Sequence, residues 1–419
     1  MYKKLLALFS GTLFAQLIGI AAYPLITRLF DAEVLGMLTL VTSISTVLGN
    51  VAAFSLPLAI VISKSEVEAN VAAKTAFTST LVTISALYLF FFLIINTNWF
   101  QSIFDTIDNS FIFAIFILSS QLSFELTFVQ LLLRKYKYRQ ISKVRIIFSF
   151  ILNTIKILSF YISQNIHVLV WVSMICGFIK LYLFYRVTGV SDALVFYNVS
   201  FKDIKEVVNK HKELVIYRTS QTFINSFSQF MPVLFLSRFY SIMEVGYFGL
   251  AKTLLELPIN LIGNTISSGL YPYYSELKSQ NKSVIPLTFK CITVLLILSS
   301  LVSMFLLIFG QAVFAYIFSS DWKVAGEYAS VLSVGYITLL CSRTVLPLIN
   351  VFNLEKMIFK YELFGLVLRL SSLCIPIYLS MNAIDVILYY SISNFFVYLV
   401  LIILVLRSVK IKERSEFYD

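Results

Sequence analysis

Charge is scarce in this chain: Asp, Glu, Lys and Arg make up 13% of 419 residues, against 59% hydrophobic residues and a mean hydropathy of +0.86. A soluble globular domain carries roughly 25% charged residues, so that class is excluded. The chain has two histidines, His167 and His211, and neither has Cys or Asp neighbours at metal-ligand spacing. No metal site is expected, and both read as solvated residues. The four cysteines, Cys176, Cys291, Cys341 and Cys374, all fall in apolar stretches, which excludes a disulfide framework and makes them small buried hydrophobes. No G-x-x-x-x-G-K-[ST] occurs, so the chain has no ATP-binding P-loop, and no cofactor is expected.

Apolar runs of about 20 residues, the length a helix needs to cross a roughly 30 Å hydrocarbon core, recur from end to end. They predict an all-α polytopic membrane protein of about twelve spans. The first six cover roughly 5–26, 35–62, 75–96, 111–133, 144–163 and 168–187; the second six cover roughly 214–237, 246–273, 285–309, 329–352, 362–380 and 385–406. The runs are continuous rather than alternating, which argues against strands. The net charge of +11 reports orientation rather than nucleic-acid binding. With the N-terminus inside, twenty-one lysines and arginines fall on the cytoplasmic side, against Arg28, Arg238 and Lys323 outside. Both termini are therefore expected in the cytoplasm. Trp99, Trp171 and Trp322 fall at predicted outer ends, where indole favours the interface.

The N-terminal MYKKLLALFSGTLF imitates a signal peptide, but its apolar stretch is long and no clear A-x-A site follows, so an uncleaved first span is expected. An internal repeat supplies the domain organisation. ITRLFDAEVLGML (26–38) aligns with LSRFYSIMEVGYF (236–248) at an offset of 210, matching Arg28 with Arg238 and Gly36 with Gly246. At an offset of 214, Gly49-Asn50 meets Gly263-Asn264, and SIFDTID (102–108) meets YIFSSDW (316–322). An offset spanning six helices returns the second half in the same orientation, related by an axis along the membrane normal. The expected division is a six-helix lobe over 1–190, a cytoplasmic basic amphipathic linker over 191–213, and a six-helix lobe over 214–419. The glycine pairs fit either close helix packing or a substrate path.

Within this apolar chain, RTSQTFINSFSQFMP (218–232) carries a polar row. Gln221, Asn225 and Gln229 recur every fourth residue, with Arg218 three residues before them, so a helix aligns them on one face. Lys156, Lys180, Lys252, Arg343 and Arg369 also lie well inside spans. Facing lipid would cost roughly 2.5–3.5 kcal/mol each, so they should face a watered cavity or acidic partners. The acids at such depth are Glu125 and Glu256, which leaves cations in excess. Lys252 and Glu256 are four residues apart and can pair, and Asn260 and Asn264 continue their row past Pro258. Thr12, Gln16, Tyr23, Ser45 and Asn50 offer a thinner counterpart in the first half. Arg145, Arg186, Arg218 and Lys290 lie near inner ends, where long cationic side chains also snorkel.

On the twelve spans, TRLFDAEVLG with its echo SRFYSIMEVG, and YIFSSDWKVAGEYASVL, the sequence resembles the polysaccharide transporters of the multidrug/oligosaccharidyl-lipid/polysaccharide (MOP) superfamily, specifically bacterial O-antigen flippases of the Wzx type. The resemblance implies two six-helix lobes around a cationic cavity with alternating access in a bacterial inner membrane. It also implies a polyprenyl-pyrophosphate-linked oligosaccharide as cargo. Lys252, Arg343, Lys156, Lys180 and Arg218 would attract the pyrophosphate, and Gln221, Asn225, Gln229 and Asn260 would bond sugar hydroxyls, with Glu256 beside Lys252. Membrane lipids and other polysaccharide assembly proteins are the further partners expected, and no catalytic residue is. Related flippases place cavity cations on the first two helices of each lobe; Lys252 fits, but its repeat counterpart is the uncharged Thr42. Two rival classes are a membrane polymerase or glycosyltransferase, and a drug or cation antiporter of the same superfamily. Short outer loops near 97–110 and 310–328 disfavour the enzymes, although Asp105 and Asp108 form a spaced carboxylate pair. The cation excess disfavours a cationic drug.

Overall fold

The computed structural model describes residues 2–94, 108–189, 200–212 and 214–418, and among these no strand occurs. The chain divides into two compact units, Met1–Val245 and Gly246–Asp419. The first contains α1 (Tyr2–Leu29), α2 (Ala32–Val51), the short α3 (Leu56–Ile62), α4 (Glu66–Ile94), α5 (Asn109–Arg134), α6 (Tyr138–Ser159), α7 (Val168–Thr188), α8 (Phe201–Lys210) and α9 (Thr219–Phe239). From the unit boundary onward come α10 (Ile242–Ser279), α11 (Ile285–Phe318), α12 (Lys323–Ser342), the short α13 (Leu346–Val351), α14 (Glu355–Tyr378) and α15 (Ala383–Tyr418). Trp99 and Asp105 lie outside the described residues.

Twelve of these helices have 20 residues or more, and among the described residues eight segments are both long and apolar enough to cross a membrane. This is a multi-pass helical membrane protein. The four long helices outside that group are α6, α9, α10 and α14, which carry Lys156, the polar row, Lys252 and Arg369. In the first unit α1 packs on α6, α2 on α5 and α9, and α5 on α7; in the second, α11 packs on α12, and α12 and α14 on α15.

Helix boundaries follow the sequence offsets. α1 ends at Leu29 and α9 at Phe239, and α2 begins at Ala32 and α10 at Ile242, each pair 210 apart. The residue before each second helix caps it: Asp31 accepts from the Val34 amide at 3.0 Å, and Ser241 accepts from the Glu244 amide at 3.3 Å. α5 and α12 begin at Asn109 and Lys323, 214 apart. The Asp108 side chain caps α5 through the amides of Ser110 and Phe111.

Two spans expected to be continuous, 35–62 and 329–352, are broken. α2 stops at Val51 and α3 starts at Leu56, with Phe54 and Ser55 both left-handed (φ 50° and 55°) ahead of Pro57. α12 stops at Ser342 and α13 starts at Leu346, and the residues between turn by i→i−3 bonds. Proline is the physical cause at the second break: Pro347 withholds an N–H and crowds the carbonyl four residues earlier, which is that of Arg343. Irregular backbone at membrane depth survives only when its polar groups are satisfied by protein. Ser267 of α10 donates to the Arg343 carbonyl at 2.6 Å, and the Tyr274 hydroxyl donates to that of Thr344 at 3.3 Å.

Two other expectations change. Trp322 is not an interfacial anchor; it is 1% exposed in a 3-10 turn and meets Tyr247 edge-on at 5.7 Å. The histidines are not merely solvated. His167 stacks on Phe111 at 4.3 Å between centroids, with Nε2 3.5 Å from Asp108, and His211 lies 3.4 Å from Glu68 in a cluster with Lys210.

Candidate functional site

In the second unit, α10 carries Lys252, Glu256 and Asn260 at spacings of four, so they share one face. Lys252 Nζ lies 3.8 Å from Glu256 Oε1, which also accepts from the Tyr336 hydroxyl of α12 at 3.2 Å. Both members of the pair are partly buried. One turn on, Arg343 reaches back from the α12–α13 break and donates through Nη2 to Asn260 Oδ1 at 3.2 Å, while its buried Nε has no partner. The break thus presents a cation to the polar face of α10 from a neighbouring element. A hydrogen bond from a charged group contributes about 1.5–3 kcal/mol, and here its acceptor is a neutral amide. Arg343 forms no ion pair among the described residues.

Gly263 explains how the guanidinium gets there. A Cβ at that position would come within 2.6 Å of Arg343 Cγ and 3.1 Å of Cδ, so the arginine stem lies across the bare backbone of α10. Its repeat partner works differently: a Cβ at Gly49 would meet the Ser119 carbonyl at 2.8 Å, which is close packing of α2 on α5.

In the first unit the cations are differently disposed. Lys180 Nζ is 2.5 Å from Glu125 Oε2 and sits 4.5 Å from the Phe148 ring centroid. Lys156, on α6, makes no ion pair among the described residues. The polar row of α9 is bonded along its own helix: Arg218 donates to Gln221 at 2.9 Å, and Gln229 donates to Asn225 at 2.9 Å. Arg218 and Gln229 are exposed, and Gln221 and Asn225 half-buried. Asn50 joins α2 to α9 through the Ser226 hydroxyl at 3.1 Å. Ser45 is buried and bonds the Ile115 carbonyl, which packs α2 on α5. Thr12 accepts from Arg145 at 3.2 Å.

The second unit therefore brings Lys252, Glu256, Asn260 and Arg343 together, while Lys156, Lys180 and the α9 row belong to the first. Tyr336 is the member that sequence reasoning missed, because one hydroxyl among 24 tyrosines carries no signal of its own.

A family model described as "Polysaccharide biosynthesis protein" matches residues 25–327. Among curated proteins no sequence match is found. Solved structures share the fold at low identity. An inward-facing multidrug resistance MATE family transporter of the MOP superfamily has 12% identity and a TM-score of 0.71, covering 97% of this chain and 95% of that one. The lipid II flippase MurJ, in an inward closed conformation, has 14% identity and a TM-score of 0.72 over 98% and 91%. A MOP superfamily transporter from Pyrococcus furiosus, described as having a binding pocket of reverse polarity, has 12% identity and a TM-score of 0.62 over 97% and 96%. The chain shares its fold with these transporters.

Proposed function

Because this chain belongs to the polysaccharide biosynthesis protein family, we propose that it is a transporter and not an enzyme, a flippase carrying a polyprenyl-pyrophosphate-linked oligosaccharide such as an O-antigen unit. It moves the cargo from the cytoplasmic to the periplasmic leaflet of a bacterial inner membrane. Two six-helix lobes, 1–190 and 214–419, joined by a linker over 191–213, alternate access, with both termini in the cytoplasm. The observation that carries this reading is the group on α10: Lys252 with a carboxylate partner, and Arg343 with only an amide. A pyrophosphate is the ligand whose charge completes that set. The Gln and Asn row of α9 suits sugar hydroxyls. Lys180, already held by Glu125 and Phe148, acts as support for the first lobe in this reading.

The test is a strain lacking the gene. Single lipid-linked units should accumulate on the cytoplasmic leaflet, and restoring the gene should clear them, whereas Lys252→Ala or Arg343→Ala should not despite normal membrane abundance. Accumulation on the periplasmic leaflet would overturn the reading and point to a polymerase or glycosyltransferase.

A further inference from the structure

The first unit holds a cavity that the cargo reading leaves without a task. α9 turns Phe223, Phe227, Phe230 and Leu234 to one side at helical spacing, and Phe223 and Phe227 stack with ring centroids 5.5 Å apart. Phe91 of α4, Val47 of α2 and Ile115 of α5 help to complete a cavity of about 260 Å³ against that wall. Its lining is wholly hydrocarbon, and Phe223, 44% exposed, leaves it open along α9. The row of Gln221, Asn225 and Gln229 lies on the other side of the helix, so sugars find no partner here.

Water gains little in such a space, because each molecule needs several polar partners. Inside a bilayer, a hydrocarbon chain is what fills it. From Phe223 to Leu234 the wall runs for about 16 Å along the helix, about half of a roughly 30 Å hydrocarbon core. The helix ends fix which half. Phe91 lies three residues before the end of α4, Ile115 six after the start of α5, and Leu234 five before the end of α9. Arg238 stands one turn beyond Leu234 on the same side of α9, exposed, and forms no ion pair among the described residues. A chain in the cavity therefore ends beside a guanidinium, whose planar fork matches phosphate oxygens. A phospholipid brings two chains and one phosphodiester; a polyprenyl pyrophosphate brings one chain and a more highly charged head. The single slot and the cation at its end match the second.

We infer that this cavity holds the isoprenoid chain of the lipid carrier, and that Arg238 binds its pyrophosphate, once the head group has reached the face at which α9 ends. The inference rests on the flippase reading and adds to it a holding site for delivered cargo, in the periplasmic leaflet on the orientation proposed above.

The test uses the full-length protein in detergent with geranylgeranyl pyrophosphate that carries a photoreactive diazirine in its chain. Irradiation should label peptides of α2, α5 or α9 that line the cavity. Unlabelled geranylgeranyl pyrophosphate should compete, and phosphatidylglycerol at the same concentration should not. Val47→Phe, which fills the cavity, should lower the labelling at saturation. Since that variant could fail to fold, Arg238→Gln supplies an exposed change at a helix end: it should raise the concentration for half-maximal labelling about tenfold or more, the loss expected of a charge-assisted hydrogen bond. Labelling confined to other helices, equal competition by phosphatidylglycerol, or unchanged affinity in Arg238→Gln would each overturn the inference. Its failure is distinct from that of the flippase reading. In the strain lacking the gene, cytoplasmic accumulation together with any of those three results removes only the role of the cavity, whereas periplasmic accumulation with cavity labelling intact removes transport and leaves the binding site.

Discussion

Replacing Gly263 by alanine puts a methyl carbon 2.6 Å from Arg343 Cγ, a separation that real side chains do not tolerate. The crowded atom is at the root of the arginine and not at its flexible end, so the whole side chain must leave α10. Its bond to Asn260, 3.2 Å long, goes with it. A charge-assisted hydrogen bond of about 1.5–3 kcal/mol corresponds to about 10- to 150-fold fewer molecules holding the guanidinium in place. On the proposed function, the rate of lipid-linked glycan translocation by Gly263→Ala in vesicles should therefore fall about tenfold or more, although no charge has been removed. Gly269, six residues along the same helix, supplies the control: nothing lies within 4 Å of its absent Cβ. Alanine there should be neutral or favour the helix by about 0.5–1 kcal/mol. The double variant Gly263→Ala/Arg343→Ala should be no worse than Arg343→Ala alone, because both lesions act through one side chain. Wild-type transport by Gly263→Ala at normal abundance would refute this account of how Arg343 is placed.

Three further outcomes follow from the first unit. Lys180→Met strands the partly buried Glu125 and should cost about 3–5 kcal/mol in thermal unfolding, whereas Lys180→Met/Glu125→Gln should regain most of it; failure of the double variant to recover would mean that Lys180 does more than balance Glu125. Arg134 donates to the carbonyls of Ile60, Ser63 and Ser65 and to Glu66, a fan that lysine cannot span, so Arg134→Lys should lose about 2 kcal/mol or more and resemble Arg134→Ala. Burial raises the Asp108 pKa, but the Ser110 hydroxyl, the Phe111 and Ser110 amides and the nearby His167 outweigh it and hold the carboxyl below its usual value. Its stabilising contribution is thus present above the ordinary carboxylate pKa of about 3.9 and lost as pH falls through the depressed native value. Asp108→Ala should cost about 1 kcal/mol near pH 7, and the difference in stability should shrink in acid below that range.

Much of the fold was legible because insertion in a bilayer constrains sequence so tightly. Hydropathy located the long helices, and the repeated TRLFDAEVLG pattern anticipated even the shared start of α2 and α10, since Asp31 and Ser241 cap by the same geometry. The Lys252–Glu256 pair was readable because four residues is one helical turn. What stayed hidden depends on contacts between distant helices. Nothing near Lys180 announces Glu125, 55 residues away, or shows that His167 will meet Ser110 and Asp108. Trp322 was misread because an indole near an outer end usually faces the interface, yet the turn at Ser320–Trp322 carries it inward. The helix breaks did leave a signal. Leu-Pro-Leu stands at 56–58 and again at 346–348, each at the start of a short second helix.

The four long helices too polar to count among the apolar spans also bear on how the chain is made. A segment leaving the ribosome enters the bilayer alone only if its own side chains favour lipid, and a mid-span lysine or arginine weighs about 2.5–3.5 kcal/mol against it. α6, α9, α10 and α14 therefore depend on neighbouring helices. α9 follows its partner α2 by well over a hundred residues, and α10 must wait for α12, which is synthesised after it, to supply Tyr336 and the start of the break that bears Arg343. The polar face that suits a charged cargo is thus also a debt in biogenesis, carried by α10 through the time it takes to synthesise α11 and α12.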